Sequence, residues 1–226
     1  MTVYSKVFYA LQRFGSRRSA EVILPIVLDV VHPLSIVDVG CGVGTWLAVA
    51  RKLGVPETVG LEGAWVLGLP LADPALEIRG TNLEEPIEIA KRFDLVTCME
   101  VAEHLTPSRA ESFVAELCRL SDNVFFSAAI PWQGGTNHLN ERPQSYWASL
   151  FAAQGFGARD IVRPRVWGDG RASYWYRQNS ILYTKDAKTD PGLVFDRKHP
   201  LHFLSPWRVR EGWDRVRGRT SPQGQY

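Results

Sequence analysis

Two carboxylates and an imidazole sit within the five residues Glu100-Val101-Ala102-Glu103-His104, and His138 follows in the segment Gly134-Gly135-Thr136-Asn137-His138. An imidazole titrates near neutrality, so His104 or His138 can serve as a general base that takes the proton of a bound hydroxyl, with Glu103 orienting it. Glu100, Glu103, His104 and His138 also form a mixed oxygen and nitrogen donor set that suits a divalent metal, Mg2+ or similar. A cation there would grip two acceptor oxygens and lower the pKa of one. The plainer alternative is a histidine that closes a helix start or touches substrate without metal.

A second group of residues is built for binding. In Val37-Asp38-Val39-Gly40-Cys41-Gly42-Val43-Gly44-Thr45-Trp46 the three glycines let the backbone turn tightly and approach a ligand. A helix follows at once, so its first amides face the same space. The dinucleotide fingerprint G-x-G-x-x-G would require glycine at position 45, where Thr45 stands, which demotes a nicotinamide dehydrogenase. Asp38 lies two residues before the first glycine, badly placed for a pyrophosphate and well placed for a cation such as an amino acid ammonium. Glu62, 18 residues after Gly44, ends a second strand, where an acid can accept both hydroxyls of a ribose. Taken singly, Asp38 and Glu62 read equally as surface acids at strand ends. On the acceptor side, Trp132 and Asn137 fall in a polar, glycine-rich loop, and Tyr176 and Arg177 in Tyr174-Trp175-Tyr176-Arg177-Gln178-Asn179, read as a loop before the last strand; aromatic faces beside amides suit a polar or flat ring.

The elements that must carry these residues alternate. A helical segment over 19–31 holds Pro25, which predicts a start or a kink there. Strands are expected at Ser35 to Val39, Thr58 to Leu61, Leu76 to Ile78, Phe93 to Met99 and Asn123 to Ile130. Helices are expected from Thr45 to Leu53, with Gly54 as the residue after its cap, and after Thr106-Pro107 as N-cap and first helical residue. Pro143 to Phe151 opens another, in which Trp147 reads as packing. Such an order gives a parallel sheet covered on both faces, with ligands outside the carboxyl ends of its strands.

The chain has 226 residues, 45% apolar and 22% charged, enough for one globular domain. Its 26 basic and 24 acidic residues leave +2, which removes the electrostatic ground for a nucleic-acid binder. Three cysteines point to a reducing, cytoplasmic setting, and the most apolar stretch, Val22 to Val39, is interrupted by Asp29 and His32, so no membrane span is expected. Residues 185–226 hold nine basic and five acidic residues, +4, against −2 for the remainder. They read as a solvated or docked arm with a short helix near Val209, Trp213 and Val216; a lid or a homodimer contact is the alternative.

The stretches V-D-V-G-C-G-V-G-T-W, V-G-L-E-G, T-N-L-E-E-P and F-D-L-V-T-C-M-E-V-A-E-H-L together resemble the class I S-adenosylmethionine-dependent methyltransferases, in order and spacing, from about residue 16 to 184. The resemblance implies an α/β, Rossmann-like, seven-stranded, mostly parallel sheet with an antiparallel last strand at Ser180 to Thr184, paired with Gly157 to Val162. It makes 1–184 the methyltransferase domain, with a helical cap over about 1–32 in which Tyr9 and Gly15 to Ser19 cover the cofactor, and 185–226 a basic arm. It assigns Asp38, Gly40, Cys41, Gly42, Gly44, Thr45, Trp46, Glu62, Gly63, Asn82, Leu83, Met99 and Glu100 to the cofactor, with Asn82 standing where many relatives have Asp. E-x-x-E-H with a later histidine is similar to metal-dependent methyltransferases of small-RNA 3′-terminal hydroxyls and to ubiquinone-pathway O-methyltransferases. The expected function is methylation of a hydroxyl on a small molecule: a sugar, glycoside or natural product. An RNA-terminal enzyme, an N-methyltransferase and a non-catalytic partner subunit are the alternatives.

Overall fold

The computed structural model describes residues 6–204, with side chains for 15–202. One seven-stranded sheet organises them. Its strands are β1 (Ser35–Val39), β2 (Glu57–Glu62), β3 (Glu77–Gly80), β4 (Leu95–Met99), β5 (Asn123–Ser127), β6 (Phe156–Arg159) and β7 (Ile181–Lys185). The spatial order is β3-β2-β1-β4-β5-β7-β6. β7 runs antiparallel to both neighbours and the other pairings are parallel, as expected for the last strand. The hairpin partner is shorter than Gly157 to Val162, because Val162 already starts the turn into α5 (Arg163–Val166).

The order reverses between β1 and β4, since the chain runs outward from β1 to β3 and returns on the other side. Parallel strands that diverge this way leave a crevice at their carboxyl ends, which is where such sheets take ligands. The two strands are buried along their whole length, so alternate side chains feed two cores. Val37, Val39, Val96 and Cys98 pack against α3 (Ala110–Leu120) and α4 (Gln144–Ala153), with Phe113, Leu117, Trp147 and Phe151. Ile36, Leu95 and Met99 pack on the opposite face against α1 (Lys6–Val31), α2 (Thr45–Lys52) and α6 (Tyr174–Asn179), with Ile23, Val27, Leu47 and Tyr176. Each fully buried large apolar side chain stabilises the fold by about 1.5–3 kcal/mol. Cys41, Cys98 and Cys118 are free thiols inside these cores.

Local chemistry explains most element ends. Gly54, at φ 97°, closes α2: its amide bonds the Arg51 carbonyl while Val55 bonds Ala50. α1 runs through Pro25 rather than starting there. Thr106 and Pro107 stand where expected, as N-cap and first helical residue, but of a 3-10 turn, Pro107–Arg109, that leads directly into α3. The Thr106 hydroxyl donates to Glu84 Oε2 at 2.9 Å, a charged acceptor, and makes no bond to the helix amides. One expectation needs correction: the segment 174–179 is helical rather than a loop. No helix among the described residues is long and apolar enough to cross a membrane. Residues 186–202 dock on the domain, with His199 and His202 buried; the helix expected around Val209, Trp213 and Val216, and the side chain of Tyr9, lie outside the described residues.

Candidate active site

The glycine turn joins β1 to α2 at the mouth of the crevice. Gly42 has φ 53°, and a Cβ built on it would meet nothing within 4 Å, so its backbone is open at this point of the turn. Glu62, at the end of β2, accepts the Gly42 amide on Oε2 and the Gly63 amide on Oε1, both at 2.8 Å. Each carboxylate oxygen retains acceptor capacity, which is what a vicinal diol requires. Thr45 opens α2, so its amide faces the crevice too. Asn82 is exposed beyond β3 and accepts the Glu84 amide at 3.2 Å, with Leu83 buried beneath. The donor set and the open turn therefore fit an adenosyl ligand.

Asp38 behaves differently from a surface acid. It is 2% exposed, pairs in register with Thr97 on β4 and accepts its hydroxyl at 2.7 Å. Desolvation pushes its carboxyl up to about 7, against the opposing Thr97 hydrogen bond, and the charge on Glu62 adds to the rise. A cation arriving nearby would reverse that shift.

Three residues assigned to the cofactor contribute from beneath rather than from the crevice. The Cys41 thiol packs under the turn, and a Cβ on Gly60 would lie 2.6 Å from its sulfur. Trp46 is buried, its ring 5.2 Å from Tyr176 and 6.2 Å from Phe125. Met99 is buried in the same core. The expected acceptor residues divide in the same way. Trp132 is half exposed and Asn137 exposed, both on the loop after β5. Tyr176 and Arg177 are buried on α6 instead: Tyr176 packs on Trp46, and Arg177 donates Nη1 to the Trp167 carbonyl at 2.8 Å. Their helix, not an open loop, explains the correction.

The second cluster adjoins the turn. A Cβ on Gly40 would come within 2.3 Å of Val101, so the segment that starts at Glu100 packs directly on the glycine turn. A 3-10 turn, Ala102–His104, then presents Glu103 and His104. The loop after β5 closes over it. Leu139 and Asn140 both donate their amides to the Glu103 carbonyl, at 2.8 and 2.9 Å, and His104 Nδ1 lies 3.2 Å from the Asn137 carbonyl. A carbonyl only accepts, so that nitrogen carries the proton and Nε2 keeps its lone pair. Desolvation, then the neighbouring His138, hold the His104 pKa below its ordinary value, which keeps the ring neutral at pH 7.

His138 faces Glu141 Oε1 with Nδ1 at 2.8 Å, and the two imidazoles meet edge to face with centroids 4.9 Å apart. One ligand atom from each of Glu103, His104 and His138 lies within 4.8 Å of the others. Glu103 is 1% exposed and no side chain bonds its carboxylate, which faces only the backbone amides of Glu103 itself and Ala129. Burial, with the charge on Glu100 next, pushes its carboxyl well above the usual range, against those two amides. A buried carboxylate with no side-chain partner beside two imidazoles fits a divalent cation.

Glu100, the expected fourth ligand, is not part of that group. Its oxygens are taken by two amides, Gln133 Nε2 at 2.7 Å and Asn179 Nδ2 at 3.1 Å, and its backbone sits at φ 58°. Burial raises its carboxyl while Asn179, Gln133 and Ser127 pull it back. Gln133, Asn179 and Glu141 join the site by bonding Glu100 and His138, and sequence reasoning did not single them out. Only Glu141 left a trace, three residues after His138; the Glu100–Asn179 contact spans 79 residues and has no local signal.

Comparison with known proteins accords with this geometry. A family described as "Methyltransferase domain" matches residues 6–122, just over half of the chain. A ubiquinone biosynthesis O-methyltransferase of Nitrosomonas europaea is 29% identical over 136 residues, 53% of this chain and 50% of that protein. The chain thus spans about half the length of the curated relatives it matches. Among solved structures, an amino pentose methyltransferase of Micromonospora echinaspora, solved with S-adenosylmethionine bound, superposes with TM-score 0.59 at 17% identity, over 82% of this chain and 99% of the other. A sugar N-methyltransferase of Streptoalloteichus gives TM-score 0.62 at 13% identity, over 83% and 97%. At these identities the two structures speak for the fold, and the family match and the turn for membership: the chain belongs to the class I S-adenosylmethionine-dependent methyltransferases.

Proposed function

We propose that this chain transfers the methyl group of S-adenosylmethionine to a hydroxyl oxygen of a small polar molecule, of the sugar, glycoside or natural-product class. The donor supplies a methyl carbon bonded to a sulfonium, open to in-line displacement. Glu62 accepts the ribose hydroxyls, the Gly42 turn admits the ligand against its backbone, and the Asp38 carboxylate offers its charge to the ammonium of the methionine part. Alignment of donor and acceptor then supplies most of the rate, because the reaction is a single displacement.

The observation that carries the hydroxyl reading is the pair of imidazoles. Their Nδ1 atoms are tied to Asn137 and Glu141, so the lone pairs on their Nε2 atoms are not used in those bonds. An alcohol must lose a proton as it is methylated, and a neutral imidazole beside the donor accepts it. Trp132 and Asn137, exposed on the same loop, border the acceptor. The charge of −2 over residues 1–184 speaks for a small acceptor over a nucleic acid.

A second reading follows from Glu103. With His104 and His138 it would hold a divalent cation, which would lower the pKa of an acceptor hydroxyl. The same Nε2 atoms cannot hold a cation and take a proton at once, so the two readings separate by experiment. His104→Ala is expected to abolish turnover while leaving the affinity for S-adenosylhomocysteine unchanged. Turnover that survives a chelator selects the proton-acceptor reading, and turnover lost to a chelator and restored by Mn2+ selects the cation reading. Undiminished turnover in the alanine variant would refute both.

A further inference from the structure

Glu141 is a partly buried acid that neither reading uses directly, yet it gathers three bonds. Its Oε1 accepts the Gly134 amide at 2.9 Å and His138 Nδ1 at 2.8 Å, and its Oε2 accepts the Trp132 amide at 2.9 Å. The loop it organises is not one the backbone adopts by default. Trp132 has φ 73°, Asn137 φ 58° and Gly134 φ 70°, left-handed conformations that side-chain-bearing residues rarely take. Something must hold those turns, and a carboxylate that accepts two amides inside the loop does so. The imidazole lies tightly within it: a Cβ on Gly135 would sit 2.1 Å from His138 Nε2.

We propose that Glu141 is the positioning residue of the site: it fixes the tautomer and ring orientation of His138 and, through the Trp132 amide, sets the exposed indole relative to that ring. A carboxylate oxygen that already accepts the Gly134 amide accepts from His138 as well, so Nδ1 of His138 carries the proton and Nε2, which lies against Gly135, keeps its lone pair. Carboxylates behind imidazoles act in this way at both cation sites and proton-transfer sites, where removing the partner typically costs 10- to 100-fold, as an order of magnitude, in affinity or activity. The inference deepens the proposed function and rests on its assignment of Nε2, but it does not depend on which of the two readings holds. In either case His138 must offer the same atom.

The test uses the full chain with nitrogen-15-labelled imidazoles. In the wild-type protein His138 is expected as a single Nδ1–H form at pH 7.5. In Glu141→Gln, whose side chain can donate as well as accept, that form is expected to give way to a mixture, and Mn2+ affinity, followed by the electron paramagnetic resonance of the free ion, is expected to fall by about 10- to 100-fold. Affinity for S-adenosylhomocysteine, measured by calorimetry, should not move, since no residue of the Gly42–Glu62 crevice is touched. A wild-type His138 protonated on Nε2, or a variant spectrum identical to the wild type, overturns the proposal whatever happens to turnover. The wild-type arm stands even if the variant fails to fold. A wild-type protein that takes up no Mn2+ removes the cation reading alone, and the imidazole spectrum still decides the role of Glu141.

Discussion

Replacing Asp38 by asparagine is expected to make the protein's stability respond less to pH, with a sign that follows from burial. In the folded state the Asp38 carboxyl is pushed from its ordinary 3.8 up to about 7, chiefly by desolvation. The native state therefore keeps a proton that the unfolded chain releases between pH 4 and 7. Stability falls wherever the native state holds more protons than the unfolded state, so this group costs nothing below pH 3.8 and its full penalty above pH 7. With those two values the penalty is about 2 kcal/mol at pH 5 and about 4 kcal/mol at pH 8, hence a loss of about 2 to 3 kcal/mol across that window. An asparagine side chain in that place would keep an acceptor for the Thr97 hydroxyl and carries no charge, so it contributes no slope of its own. Urea unfolding at pH 5 and pH 8 measures the difference. The gap between variant and wild type should move in favour of Asp38→Asn by about 2 to 3 kcal/mol on going to pH 8, whatever its offset at pH 5. The same variant should bind S-adenosylmethionine more weakly, because the charge that is costly in the empty fold is the one offered to the ligand. A gap that stays constant with pH would show that the Asp38 carboxyl is not raised, and the account of its role would go with it.

Glu62→Gln should lower the affinity for S-adenosylhomocysteine by roughly 10- to 100-fold in calorimetry, since hydrogen bonds to a charged acceptor contribute about 1.5–3 kcal/mol; unchanged binding would remove Glu62 from the ligand. Gly135→Ala places a methyl group 2.1 Å from His138 Nε2 and should abolish Mn2+ uptake and turnover together, with S-adenosylhomocysteine binding intact. Glu103→Gln should eliminate Mn2+ uptake while raising stability in urea at pH 8, because it removes a buried carboxylate that burial and the charge on Glu100 disfavour and no side chain pairs. Retained Mn2+ uptake in that protein would count against Glu103 as a ligand.

Much of this molecule is local and was therefore readable in the chain. β1, the glycine turn and α2 are consecutive, and their chemistry is carried by residues at fixed short offsets: Asp38 before Gly40, Thr45 where a dinucleotide site needs glycine, Gly54 after the helix. Alternating strand and helix signals sufficed for the parallel sheet, because hydrophobic period and chain order are properties of sequence alone; the reversed last strand came from the family resemblance. Glu103, His104 and His138 were legible as chemistry for the same reason, as residue types crowded at the ends of two strands.

What needed the tertiary structure was the direction each side chain takes and who meets whom. Glu100 carries the same carboxylate as Glu103, yet Gln133 and Asn179, one of them 79 residues away, claim its oxygens, while no side chain pairs with Glu103. Tyr176 and Arg177 read as pocket residues until a helix buried them, and Thr106, though at the cap position, donates its hydroxyl to Glu84. Hydrogen-bond partners separated by dozens of residues are chosen by packing and desolvation, which no window of sequence contains. Composition and spacing thus determine which groups reach the carboxyl edge of the sheet, and the fold decides which of them remain free to react.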